Sequence, residues 1–166
     1  MKTIKRNSEK QWYVFYVQTR HEKKVNKRLL EYGFEPYLPL KRVLKQWSQR
    51  KKWIEEPLFR SYIFVRISQS QLVKVLEVPG IITYVKHVGK PAVIRQQHID
   101  LLRKMLTSDT TFELSSSRVE VGSEIEIQTG PFRGFKGFVK EVRGSRKLVV
   151  NLGSIDYTII VELPAE

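Results

Sequence analysis

Two clusters of cationic side chains are the densest chemistry in this sequence. The first is helical in spacing. Residues 20–32 (RHEKKVNKRLLEY) place Val25, Leu29 and Tyr32 at i, i+4 and i+7 on one side. Arg20, Lys23, Lys24 and Lys27 fall on the opposite side, with Arg28 adjacent. The second cluster spans residues 41–53 (KRVLKQWSQRKKW), with six basic residues, no acid and two tryptophans. Ammonium and guanidinium groups neutralise phosphates and release counterions, so both clusters suit a polyanion. Trp47 and Trp53 interleave with the second. An indole there either stacks on an unpaired base, worth about 1–3 kcal/mol, or packs the root of a hairpin, and the sequence leaves both open.

Groups that make or break bonds are sparse by comparison. His21, His87 and His98 form no pair at metal-ligand spacing, and the chain has no cysteine. Glu55 and Glu56 are the only adjacent acids of the first 106 residues, and on a strand they point to opposite faces. The glycines of 130–137 lack the Lys-Ser/Thr of a phosphate-binding loop. No metal, cofactor or catalytic residue is expected. A DNA-processing enzyme is the weakest of the functional classes considered.

Charge then divides the chain. It has 166 residues and 30 Lys and Arg against 17 Asp and Glu, a net of +13. Residues 1–106 hold 23 basic and 8 acidic side chains, whereas residues 107–166 hold 7 and 9. Polyanion binding therefore belongs to the first part. The longest notable apolar run, 12–17, is far short of the roughly 20 residues of a membrane span. The basic N-terminus lacks the apolar core of a secretory signal. A cytoplasmic protein with no membrane partner is expected.

The elements that must position the clusters can be read from periodicity. Residues 12–17 (WYVFYV) have no polar face and predict a strand buried on both sides. Residues 20–32 predict a helix stopped at Gly33, and 34–40, with Pro36 and Pro39, an edge or irregular strand. Residues 41–53 predict a protruding hairpin turning near Ser48 and Gln49. Residues 58–67 predict a second strand, 69–77 a short helix, 81–85 and 92–94 short strands about a turn at Gly89, and 97–106 a closing helix with Ile99, Leu102 and Leu106 on one face. Helices should pack on a sheet in an α+β domain of residues 11–106. The Ser/Thr-rich stretch 107–118 predicts a flexible linker. Residues 119–166, with regularly spaced glycines between short alternating strands, predict a small SH3-like barrel.

Several segments in this order resemble the NusG family of transcription elongation factors: WYVFYV at 12–17, GFEPYLP at 33–39, PLFRSYIFV at 57–65, VPGIITYVKHVGKPAVI at 78–94 and VEVGSEIEIQTGPFRGFKGFVKEV at 119–142. The resemblance covers about 11–163. It implies an N-terminal NGN domain, an antiparallel sheet flanked by helices, followed by a KOW domain, a small all-β barrel. EPLFRSYIFV, LKQWSQRKKW and the basic first domain are most similar to the specialised antiterminators of the RfaH and UpxY type. Arg60–Ser61 departs from the family pattern, where a Pro-Gly pair often stands.

The resemblance also implies a mechanism. An apolar surface of the NGN domain docks on the clamp helices of the largest RNA polymerase subunit, and Tyr16, Phe59, Tyr62, Phe64, Tyr84 and His87 occupy the matching positions. Phe59 and Tyr62 are the leading exposed candidates; because faces alternate along 58–67, Phe64 is either exposed or in the core. Arg20, Lys23, Lys24, Lys27, Arg28, Arg50, Lys51 and Lys52 would lie over the non-template DNA strand, and the turn near Gln69–Gln71 on the opposite pincer. The KOW barrel would recruit the termination factor Rho or a small-subunit ribosomal protein, with Phe132, Phe135 and Leu152 either exposed partner contacts or side chains of the barrel core. Gly134 and Gly137 would permit its tight turn. The glycines and β alternation argue for a permanent barrel rather than a helical hairpin. The implied protein is a monomeric, non-enzymatic factor that suppresses pausing and termination, with a specialised operon as its setting. The alternatives are a general factor coupling polymerase to Rho or the ribosome, and an RNA-binding or ribosomal module acting through its KOW domain.

Overall fold

The computed structural model describes residues 9–116 and 123–164. The chain divides into two compact units, Met1–Val93 and Ile94–Glu166. By sequence, residues 1–93 hold 20 basic and 7 acidic side chains, and residues 94–166 hold 10 of each. The whole net charge thus belongs to the first unit.

In the first unit, strand β1 (Gln11–Val17) is followed by helix α1 (Glu22–Glu31) and strand β2 (Glu35–Tyr37). Strands β3 (Leu40–Trp47) and β4 (Arg50–Pro57) come next, then β5 (Tyr62–Ile67). A 3₁₀ turn at Gln69–Gln71 leads into the short helix α2 (Leu72–Leu76). Strand β6 (Ile81–Tyr84) precedes a small ribbon of β7 (Lys86–His87) and β8 (Lys90–Pro91), and β9 (Val93–Ile94) follows. The main sheet runs β2-β5-β1-β6, and β9 also pairs with β1. β1 is central because its run WYVFYV tolerates burial on both faces. β2 takes the edge, where Pro36 costs no central ladder bond.

Register decides which side chains share a face. Tyr13 pairs with Val65 and Phe15 with Ile63. With Val25 and Leu29 of α1 and Leu72 and Val75 of α2, they form a fully buried cluster. The other face of the same two strands holds Val14 opposite Phe64 and Tyr16 opposite Tyr62. The helix and hairpin expectations hold: α1 buries Val25 and Leu29, and β3–β4 turns at Ser48–Gln49. Tyr32 does not join the core. It sits at the C-terminal cap of α1 and is exposed. Residues 58–61, expected as strand, form a turn whose Leu58 and Phe59 are buried.

The second unit opens with helix α3 (Gln96–Thr107), which buries Ile99, Leu101, Leu102 and Met105. Its sheet is antiparallel, in the order β10-β14-β13-β12-β11. The strands are β10 (Phe112–Ser115), β11 (Glu124–Glu126), β12 (Lys136–Val142), β13 (Ser145–Asn151) and β14 (Thr158–Glu162). β10 comes from the stretch expected to be linker. Its Phe112 and Leu114 alternate with polar residues, and it pairs along β14 from Phe112–Val161 to Ser115–Thr158. Residues 117–122, within the expected linker and the start of the barrel, lie outside the described residues.

Gly137 plays a different part from the one its neighbours imply. It lies within β12, where a Cβ would come within 2.7 Å of the Val149 carbonyl oxygen. The residue is glycine because a neighbouring strand passes too close for a side chain, not because of a turn. Gly134, at φ +89, is the turn residue.

Candidate polymerase and nucleic-acid surfaces

The aromatic candidates of the first unit separate by burial. Tyr16 is 37% exposed, and Tyr62 is partly exposed beside it, their rings 5.1 Å apart edge to face. Thr83 stands on the other side of Tyr16 across the β1–β6 ladder, so all three side chains share one face. Sequence reading missed Thr83 because its short strand gives no periodicity, only register. Phe59 is buried instead of exposed, and Phe64 lies in the core. Their rings pack edge to face at 5.7 Å, and Phe64 also meets Tyr37 at 6.4 Å. Phe59 precedes the strand, so strand alternation did not apply to it; the turn folds its ring inward.

Tyr84 and His87 are not on this face. Tyr84 pairs with Phe15 and packs partly buried against the opposite, helix-covered core. Lys86 Nζ lies 5.8 Å from its ring centre. His87 is exposed on the β7–β8 ribbon opposite Lys90.

A buried carboxylate shapes the end of β1 and the start of β5. Glu22, in the first turn of α1, is buried. Its Oε1 accepts the N–H of Arg20 at 3.1 Å and that of Ser61 at 3.3 Å. Both donors are in the left-handed region, at φ +69 and +63. The Ser61 and Thr19 hydroxyls are 3.1 Å apart. Ser61 thus adopts the left-handed conformation that glycine takes most easily, and local hydrogen bonds hold it there.

The cationic candidates also sort. Lys23, Lys24 and Lys27 are exposed along α1, and Arg20 is exposed just before it. Arg28 is half-buried, and its Nη1 donates to the Pro79 carbonyl at 2.9 Å, clasping the turn that carries Gly80. On the hairpin, Lys45 pairs with Lys52 and Trp47 with Arg50, so these four share one face. Lys51 and Trp53 lie on the other. Lys45 forms an ion pair with Glu56, whose carboxyl pKa is lowered mainly by that hydrogen bond and, further, by the charges of Lys45, Lys41 and Arg60. Both tryptophans are more than half exposed, at 52% and 57%, so neither packs the hairpin root.

In the second unit Phe132 and Leu152 are buried, so they belong to the core and are not exposed partner contacts. Phe135 is partly exposed, its ring 6.2 Å from that of Phe132. The GPFRG loop folds Phe132 under itself: Phe135 N–H bonds to the Phe132 carbonyl and Gly134 N–H to that of Ile127. Among the described residues no group of three His, Asp or Glu side chains could hold a metal. No helix among them is long and apolar enough to cross a membrane.

The chain thus joins a cationic α+β unit to a second unit of one helix and an antiparallel sheet. The family model described as "Transcription termination factor nusG" matches residues 10–103, more than half of the chain. The chain belongs to the NusG family and is a NusG-like transcription factor. It is 26% identical over 162 residues to the transcription termination/antitermination protein NusG of Haemophilus influenzae, covering 87% of this chain and 86% of that one. The Rickettsia prowazekii protein of the same name is 23% identical over 172 residues, covering 95% and 88%. A solved structure on domain interaction in Thermotoga maritima NusG aligns with a TM-score of 0.46 and 23% identity, over 92% of this chain and 93% of that one.

Proposed function

We propose that this chain is an operon-specialised antiterminator of the RfaH and UpxY type. It binds RNA polymerase through Tyr16 and Tyr62, with Thr83 beside them, and holds the non-template DNA strand with its cationic α1 and hairpin. The observation that carries the reading is the pairing of a surface aromatic couple with a net charge confined to the same unit. Amphipathic tyrosines suit a protein-docking hot spot, since each offers a large apolar ring with a polar tip. Exposed lysines suit a flexible strand, since phosphate contacts need charge rather than fixed geometry. A factor that binds the closed elongation complex better than the paused one shifts the population away from pausing by that difference in affinity.

Within this reading residues 11–106 carry the NGN match and 119–166 the KOW match, and the stretch 107–118 between them contributes β10 to the second unit's sheet. The chain acts as a monomer in the cytoplasm. Its KOW domain meets Rho or a small-subunit ribosomal protein through Phe135, the one aromatic of the three expected contacts left partly open. Transcription in vitro on a pausing template tests the proposal. Shorter dwell at pauses with added protein is the expected result. Longer dwell or increased termination would reverse the sign of the activity, and no effect of Tyr62→Ala on retention by polymerase would remove the proposed dock.

A further inference from the structure

Among the described residues the hairpin strands pair only with each other, and their eight residues each extend roughly 26 Å. Antiparallel register gives it two chemically different faces. One carries Lys41, Lys45 and Trp47 from β3 with Arg50 and Lys52 from β4, and Glu56 is its only acid, tied to Lys45. The other carries Arg42, Leu44, Lys51, Trp53 and Glu55. On that second face the Arg42 guanidinium carbon lies 5.2 Å from the Trp53 ring centre, so the indole already has a cation over it. Trp47 has no ring or cation partner among the described residues. It sits at the turn, half exposed, directly across from Arg50 and one same-face position from the Lys45–Lys52 rung.

We infer that Trp47, and not Trp53, is a stacking platform for one unpaired base of a nucleic-acid strand, with Arg50, Lys45 and Lys52 on the flanking phosphates. The inference rests on the proposal that the cationic unit holds the non-template strand, and it assigns which indole meets a base. A single strand suits the geometry because an exposed ring can take either face of an unpaired base, while a duplex offers none. An indole flanked by cations recognises stacking surface and charge together, with little demand on sequence.

The test uses the full chain and a fluorescently labelled single-stranded oligodeoxynucleotide, followed by anisotropy. Trp47→Ala is expected to weaken binding about 5- to 150-fold, the range that stacking of one base represents. Trp53→Ala should change it less than about threefold, and Trp47→Phe should recover part of the loss. In Trp53→Phe, indole fluorescence should still be quenched on binding. Unaltered affinity of Trp47→Ala, an equal loss in Trp53→Ala, or equal binding to duplex would overturn the inference. A Lys45→Gln, Lys52→Gln pair separates the two readings. If it loses affinity while Trp47→Ala does not, the charge reading survives and the stacking assignment falls. If the wild type shows no salt-dependent binding, both fall. RNA of the same sequence binding more tightly, with the same dependence on Trp47, would support stacking and overturn DNA as its strand.

Discussion

Glu22 and Ser61 lie 39 residues apart and are joined by a hydrogen bond from the Ser61 N–H to Glu22 Oε1, at 3.3 Å. The same oxygen accepts the N–H of Arg20 at 3.1 Å. One buried acceptor therefore holds the loop entering α1 and the turn entering β5. That turn delivers Tyr62 next to Tyr16, so a buried carboxylate helps set the position of the exposed aromatic pair.

Glu22→Ala should lower stability by about 1–3 kcal/mol, because two backbone donors lose their shared acceptor. Ser61→Gly should act in the opposite direction. Glycine relieves a left-handed penalty of about 1–2 kcal/mol, offset by loss of the Thr19 hydroxyl contact, for a net gain of up to about 1 kcal/mol. Urea unfolding midpoints check both signs. A fall for Ser61→Gly would mean that the hydroxyl contact outweighs the strain.

Gly137→Ala should destabilise the second unit. A methyl group 2.7 Å from the Val149 carbonyl, and 2.9 Å from side-chain atoms of Leu148 and Val150, forces the β12–β13 pair apart. Overpacking of this kind typically costs about 1–3 kcal/mol. Hydrogen exchange should report faster opening in β12 and β13, with β1 and β5 unaffected.

His98 gives the chain a pH dependence. Its pKa is lowered, chiefly by burial and then by the Arg95 charge, against an opposing pull from Glu124. The folded state thus prefers the neutral imidazole. Between the depressed folded value and the ordinary value near 6.5, the unfolded chain binds more protons, so stability falls as pH falls through that window. Melting temperature should decline below about pH 6.5, and His98→Gln should flatten the decline. An equal decline in the variant would assign the effect to carboxylates.

How much was legible depended on whether a signal was local. The central strand WYVFYV, the amphipathic α1 and the hairpin turn at Ser48–Gln49 follow from periodicity and turn residues, and all are found. The cationic face of α1 was equally legible, since lysines at helical spacing have nowhere else to point. Arg28 was not: its hydrogen bond to the Pro79 carbonyl depends on a turn 51 residues away. Phe59, Phe132 and Leu152 carry side chains that serve either a core or an interface, and only the fold of their turns decides between them. Tyr84 fell on the other face because β6 pairs Tyr84 with Phe15, a register that no spacing within 81–85 reveals. Glu22 shows the reverse case, a charged residue on a helix that reads as solvated and is buried by a distant turn.

The proposed docking surface makes the sharpest contrast. Tyr16 and Tyr62 are at the surface, whereas Phe59 is 1% exposed. Tyr62→Ala should weaken retention by RNA polymerase by about 2 kcal/mol or more, roughly 30-fold, while leaving the melting temperature within a few degrees of wild type. Tyr16→Ala should do the same. The double variant should lose less than the sum, because each ring rests on the other and an edge-to-face pair couples by about 0.5–1.5 kcal/mol. Phe59→Ala should show the opposite profile. It leaves a cavity against Phe64 and costs about 3–5 kcal/mol of stability, so polymerase retention falls only as the folded fraction falls. Retention and urea unfolding measured side by side distinguish the two cases. If Phe59→Ala stays folded and still loses polymerase, the interface reaches beneath the surface pair, and the tyrosines are its edge rather than its centre.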